Sequence, residues 1–262
     1  MRPSSVRSSA HMFAVRPVDT DASKPARQAR INRTLTSDLF DRLRTDILHC
    51  HLKPNSRLLF RDLRATYASG MSPMREALMR LASDGLVILE DHKGFRVAPV
   101  SRDELVDITT TRCELEGLAV GLAIEKGDDF WEAGIVARFH EMSKRPTYNS
   151  KGTLDPEWER RHDAFHQALY NACGLHWLIS FCQILAERAW RYRHLLLEDV
   201  DRTRDHRSEH DGIVEAVLHR NRAQAVGLLQ QHYTRTMQTL LDHCKELRVV
   251  SVHCSVFNQI GH

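Results

Sequence analysis

Apolar residues first recur at helical spacing at Leu39, Phe40, Leu43, Ile47 and Leu48, with Arg42, Arg44 and Asp46 on the other side; this is the 3.6-residue period of an amphipathic helix. Pro54-Asn55-Ser56 breaks the run. A short helix is expected around 59–66, with Leu59, Leu63 and Tyr67 as packing positions, followed by a turn at Ser69-Gly70. Ser72 then reads as an N-cap and Pro73 as the first helical residue, where a missing N–H costs nothing. Met74, Ala77, Leu78, Leu81 and Ala82 give that helix a buried stripe, and Asp84-Gly85 ends it. Leu86–Glu90 and Phe95–Val100 read as two strands about Asp91-His92-Lys93-Gly94, a hairpin with a small basic tip. Three helices followed by such a hairpin form a winged helix-turn-helix pattern, spanning residues 35–100.

A capping box, Ser101-Arg102-Asp103-Glu104, opens a fresh helix and marks a domain boundary near residue 100. Beyond it the pattern is helical to about residue 248, with helices expected over 102–126, 128–144, 155–173, 175–198, 203–220 and 222–247. Their breaks fall at Gly127, Arg145-Pro146, Gly174, Asp199–Asp201 and Asn221. Short connections make neighbours antiparallel, as in a bundle. The expected fold is therefore mostly α: an N-terminal winged helix-turn-helix, then an all-α effector domain over 101–248. Residues 1–34 read as a flexible arm and 249–262 as a loose tail.

Charge sharpens this division. Residues 1–34 carry seven Arg/Lys against two Asp, residues 35–100 ten against eight, and residues 101–262 twenty against twenty-four. A basic arm and a slightly basic first domain suit contact with a polyanion. The six cysteines form no C-x-x-C pair, which points to reduced thiols in the cytoplasm. No apolar run reaches membrane-spanning length, and no signal-peptide pattern is present.

A recognition helix needs a buried side to fix its pose and an exposed N-terminal side with donors for bases and phosphates. Ser72, Met74, Arg75 and Met79 are placed near that exposed start, with Arg75 its one cation, and arginine's planar fork can grip two acceptors on guanine or on phosphate. Arg61 and Arg64 on the preceding helix are placed to clamp the DNA backbone. Lys93 and the Gly94 N–H at the wing tip are placed against a neighbouring phosphate or the minor groove.

The second chemical signal is histidine: nine of sixteen fall between residues 162 and 243. His162 and His166 are one turn apart and in line with Leu169 and Cys173. His210 is in line with Ile213, Val214 and Val217, and His232 with Leu228, Leu229 and Leu240. Imidazoles on apolar stripes need partners for their ring nitrogens. Two at i, i+4 plus one from each of two other helices can converge on a single cation. His206, nearer its helix start, is left out of this set.

These residues carry a family resemblance. Pro73-Met74-Arg75-Glu76-Ala77-Leu78, Asp84-Gly85-Leu86-Val87 and Lys93-Gly94-Phe95-Arg96-Val97 resemble the DNA-binding domain of the GntR family, implying DNA contacts at Arg61, Arg75 and Gly94. Many members carry arginine where this chain has Met71, which implies a different operator. Arg112, Glu116, His162-Asp163-Ala164-Phe165-His166, Glu209-His210 and His232 resemble the FadR-like (FCD) branch. That resemblance implies a metal at His166, His210 and His232, with a fourth ligand one turn before His166. Many members use aspartate there, so His162 and its neighbour Asp163 stand as alternatives. An all-imidazole set favours zinc or nickel over magnesium or calcium.

Within the branch, the runs Tyr67–Leu78 and Trp158–Leu185 and Arg191-Tyr192-Arg193 resemble glutarate-responsive repressors, implying a small carboxylate or dicarboxylate effector with Arg112, Arg161 and Arg193 as its candidate partners. The expected function is a homodimeric repressor on a pseudo-palindromic double-stranded operator, released by that effector. Two other readings stand beside it: a metal-dependent helical-bundle enzyme, and a metal sensor with no organic effector.

Overall fold

The computed structural model describes residues 35–150, 152–196 and 204–243. The expected arm (1–34) and tail (249–262) lie outside them.

The first unit runs α1 (Leu35–Leu48), β1 (Arg57–Leu58), α2 (Phe60–Tyr67), α3 (Met71–Ser83), β2 (Val87–Glu90) and β3 (Gly94–Val97). The strands form an antiparallel sheet in the order β1-β3-β2. Leu43 and Ile47 of α1 meet Met74, Leu78 and Leu81 of α3 in a fully buried core. Each such side chain contributes about 1.5–3 kcal/mol relative to exposure, so α1 and α3 behave as one body. Three local expectations are corrected. β1, absent from the sequence reading, is two residues whose existence depends on pairing with β3, so no periodicity could signal it. Leu59 is exposed, because α2 begins one residue later and turns Leu63 and Tyr67 inward. Ser72 is not the N-cap of α3: the cap is Gly70, whose carbonyl accepts the Met74 N–H at 3.2 Å. Pro73 still fits, since the first turn's N–H groups have no intrahelical acceptor.

The second unit is α4 (Arg102–Lys126), α5 (Asp129–Ser143), α6 (Pro156–Tyr170), a 3-10 turn (Asn171–Cys173), α7 (His176–Leu196), α8 (His206–Leu218) and α9 (Arg222–His243). Asp128, Asp155 and Asp205 cap α5, α6 and α8 by accepting the Trp131, Trp158 and Ser208 N–H groups at 2.9, 2.8 and 3.0 Å. Ser101 caps α4 by accepting the Glu104 N–H at 3.1 Å. The reciprocal arm of that capping box is taken by Tyr192 of α7, whose hydroxyl accepts the Ser101 N–H at 3.2 Å and donates to Glu104. α4 is central, packed against α6, α7 and α9. Phe165, Leu169, Ile213, Val217 and Leu229 fill the interior.

α7 joins the two units. Glu187 pairs with Arg44 of α1, and Arg188 donates to the Asp84 and Gly85 carbonyls at the end of α3. Arg191, fully buried, donates to the Ala98 carbonyl. His49, just past α1, stacks on His194 with ring centroids 4.7 Å apart and meets Trp190 edge-on at 5.1 Å. No helix among the described residues is long and apolar enough to cross a membrane.

Candidate metal centre and nucleic-acid interface

In the first unit, Arg61, Arg64, Ser72 and Arg75 are all exposed, whereas Met74 beside them is buried. Arg61 and Arg64 line a shallow groove with Ser69, Gly70 and Met71, at the junction of α2 and the start of α3. Arg75, one turn into α3, lies over the Phe60 ring at 5.9 Å. The hairpin tip is the three-residue loop Asp91-His92-Lys93, with Lys93 exposed. Gly94 closes it at φ +85°, left-handed backbone that strains any residue with a Cβ. Cations thus gather at one helix start and one hairpin tip, the two places from which a groove and its flanking phosphates can be touched together.

In the second unit, α6, α8 and α9 bring His162, His166, His210 and His232 together. All four are buried, and one ligand atom from each lies within 4.8 Å of the others. Three have their outer nitrogens fixed. His232 Nδ1 donates to Glu209 at 2.8 Å, His210 Nδ1 to the His206 carbonyl at 2.6 Å, and His166 Nδ1 to the Tyr233 hydroxyl at 3.0 Å. Tyr233 in turn donates to Glu116 at 2.5 Å, and Glu116 also accepts from Arg112 Nε at 2.7 Å. These outer partners select the Nδ1–H tautomer and leave Nε2 lone pairs facing inward, the usual support for imidazole ligands.

His210 Nε2 and His162 Nδ1 are buried without a hydrogen-bond partner, and His162 Nε2 lies 3.0 Å from His166 Nε2. Two neutral nitrogens that close need a proton or a cation between them. Burial, then neighbouring charges, push His162, His166 and His210 well below the ordinary imidazole value, and burial brings His232 down to about 4. At neutral pH all four are uncharged, which is the ligating form. Metal–imidazole bonds of about 2.0–2.1 Å set tetrahedral nitrogens roughly 3.4 Å apart, so small side-chain rotations suffice. The donor set fits one divalent transition ion.

Asp163, the alternative fourth ligand, is turned to Arg193, at 3.0 Å from its Nη2. His162 is the residue grouped with the other three. Burial raises the Asp163 carboxyl to about 6 in spite of Arg193.

A cavity opens beside the histidines, lined in part by Arg112, Arg193, Arg204, Trp158 and Tyr233. Arg112 is also held over the Tyr233 ring at 4.1 Å. Arg193 spans Glu159 (3.2 Å) and Asp163. Arg161 is a correction: it lies away from the cavity, donating to Glu157 at 2.8 Å and to the Glu141 carbonyl at 2.7 Å. One residue before His162 on a helix is about 100° around the axis, which turns Arg161 toward α5. Sequence reasoning missed Arg204, which lies just past a break and outside any periodic stripe. It donates to Glu209 at 2.6 Å and to Thr236 at 2.9 Å. His206, set aside from sequence, lines the cavity beside Trp158 and presents the carbonyl that orients His210.

Comparison with known proteins bears on both units. The family described as bacterial regulatory proteins, gntR family, matches residues 35–97, and the FCD domain matches residues 107–235. The chain is 37% identical over 204 residues to the HTH-type transcriptional repressor GlaR of Escherichia coli (strain K12), covering 76% of this chain and 93% of that protein. It is 34% identical over 202 residues to the HTH-type transcriptional regulator BphR of Paraburkholderia xenovorans (strain LB400), covering 76% and 82%. Among solved structures, E. coli McbR/YncC superposes with a TM-score of 0.66 at 24% identity, covering 80% of this chain and 98% of the other. A GntR regulator from Rhodococcus sp. RHA1 superposes at 0.65 with 19% identity, covering 80% and 99%. At such identities the structural likeness speaks for the fold alone.

Proposed function

Since this chain belongs to the GntR family of DNA-binding transcription regulators and carries an FCD domain behind its winged helix-turn-helix, we propose that it is a repressor released by a small carboxylate bound at the four-histidine centre. Its family consists of regulators rather than enzymes, which sets the enzyme alternative aside. The observation that carries the reading is the convergence of four buried, neutral imidazoles beside an arginine-walled cavity. A divalent ion held by His162, His166, His210 and His232, zinc or nickel by its all-nitrogen set, would take a carboxylate oxygen as a further ligand. Glu209, Tyr233 and the His206 carbonyl hold three of the rings in register. Arg193 and Arg204 give the effector's charge its partners, and Trp158 and Tyr233 shield it from water.

On the DNA side, Arg75 reads a base in the major groove, Ser72 and the helix start take a phosphate, Arg61 and Arg64 clamp the backbone, and Lys93 with the Gly94 N–H reaches past the wing. The arm over 1–34 adds a salt-sensitive contact, and the effector domain spans 101–248. The protein works in the cytoplasm as a homodimer on a pseudo-palindromic operator. A face suited to the second copy is the exposed stripe Trp177, Phe181 and Ile184 of α7, with Leu118 exposed on the neighbouring α4.

The test is calorimetry of zinc-loaded protein with candidate mono- and dicarboxylates, with and without operator. Coupling of about 1–3 kcal/mol, roughly 5–150-fold, is expected, and by linkage the operator must weaken effector binding by the factor that effector weakens operator binding. Equal effector affinity in both states refutes the reading. Operator affinity that follows zinc alone selects the metal-sensor alternative.

A further inference from the structure

Glu159 is the most deeply buried carboxylate outside the histidine centre that the effector reading leaves without a task. It sits on α6, one turn before Asp163, fully out of solvent. One of its oxygens accepts from Arg193 Nε at 3.2 Å. The other lies 2.8 Å from His194 Nε2, yet off the direction of a hydrogen bond, so that both atoms remain without a hydrogen-bond partner. Arg193 and His194 are adjacent on α7 and serve different places. Arg193 lines the cavity and also holds Asp163, whereas His194 faces the first unit and stacks on His49.

We propose that Glu159 is the positioning residue through which the cavity communicates with the DNA-reading unit, dividing its charge between Arg193 on the cavity side and His194 on the DNA side. The inference rests on the effector reading only for what triggers the shift. An anion arriving in the cavity competes with Glu159 for the Arg193 guanidinium. A carboxylate losing that partner while fully buried has, among the described residues, His194 Nε2 close by at 2.8 Å, an atom that carries a hydrogen in the ring's protonated-Nε2 form. A small rotation then converts the misaligned contact into a hydrogen bond, because an unsatisfied buried charge is costly and an aligned, charge-assisted bond relieves it. The His194 ring turns with that bond, and the His49 ring stacked on it must follow.

The consequence reaches the operator through rigid elements. His49 directly follows α1, and Leu43 and Ile47 of α1 are fully buried in the core they share with α3. The other ties between α7 and the first unit run from Glu187, Arg188 and Arg191 to Arg44, Cys50 and backbone carbonyls, and from Trp190 to the edge of the same His49 ring, and none of these four α7 residues lines the cavity. Among these ties, only the His49–His194 stack is joined to the cavity wall by a shared side chain.

The experiment uses the full chain labelled with 13C-histidine and needs no effector. Arg193→Gln removes the guanidinium from Glu159 and should move the His49 ring resonances. In a Glu159→Gln background the same change should leave His49 where it was. On an operator fragment selected in vitro with the parent protein, Arg193→Gln should change affinity within the roughly 5–150-fold range of ordinary coupling, and less than about twofold in the Glu159→Gln background. A His49 resonance that does not respond to Arg193→Gln, or that responds equally in both backgrounds, overturns the proposal. Arg193→Lys guards against a folding artefact: it keeps a cation beside Glu159 and should restore the parent spectrum. Zinc titrated into the parent reads the four-histidine centre separately. If those resonances fail to shift, the metal reading fails while the Arg193–Glu159–His49 outcome stands on its own.

Discussion

Replacing Tyr233 by Phe removes one oxygen and leaves two buried groups short of a partner. His166 Nδ1 loses its acceptor at 3.0 Å, and Glu116 loses a donor at 2.5 Å. The aromatic ring that carries Arg112 at 4.1 Å is kept, so packing is nearly unchanged. Leaving a buried polar group unsatisfied costs about 1–3 kcal/mol. Glu116 retains its bond from Arg112 at 2.7 Å, so the loss falls mainly on His166, and urea unfolding of metal-free protein should show a destabilisation of about 1–3 kcal/mol. Metal affinity should fall further, because His166 no longer has its tautomer fixed. Loss of such an outer partner typically costs 10–100-fold in affinity. Competition against a chromophoric zinc chelator measures this, and the metal-free unfolding curve separates it from a general loss of stability. Zinc bound as tightly by Tyr233→Phe as by the parent would refute the claim that the Arg112–Glu116–Tyr233–His166 chain orients a ligand.

Three further outcomes are expected. Arg75→Ala should cost about 1–3 kcal/mol of operator affinity and relax the sequence preference at one base pair, measured by titration against a panel of substituted operators. Deletion of residues 1–30 should flatten the dependence of affinity on salt without changing the preferred site. Although burial raises it, the Asp46 carboxyl is held below its usual range by the Tyr67 hydroxyl and by His51. A carboxylate depressed in the folded state stabilises above its unfolded pKa and loses that contribution as pH falls. Acid should therefore destabilise the parent between the ordinary aspartate range and lower pH more than it destabilises Asp46→Asn, as followed by thermal melts.

The histidine centre was legible because an i, i+4 pair and two single residues interrupt apolar stripes, and a stripe predicts burial whatever it contains. α4 could be bounded to the residue because Ser101 and Gly127 punctuate it. What escaped was decided by contacts distant in sequence. β1 exists only against β3. Arg161 and Arg193 stand alike in the sequence as candidate effector partners, and only the turn of α6 against α5 separates the structural arginine from the one that walls the cavity. Glu159 gives no sign of burial, since its solvent-excluded state depends on Arg193 and His194 arriving from another helix. Ser72 fits the preferred cap chemistry, but Gly70, extended at ψ 167°, starts α3 sooner.

The grip of α7 on the reading head also bears on modularity. Cutting at residue 100 and grafting the head onto a foreign sensor would strand the partners that the stretch from Glu187 to His194 supplies: the charge opposite Arg44, the ring stacked on His49, and the donors for the Asp84 and Ala98 carbonyls. A transplantable head from this protein is thus a discontinuous piece, and any chimera that is to fold soundly and still obey its new sensor must carry an α7-like helix with those four residues' worth of contacts in place.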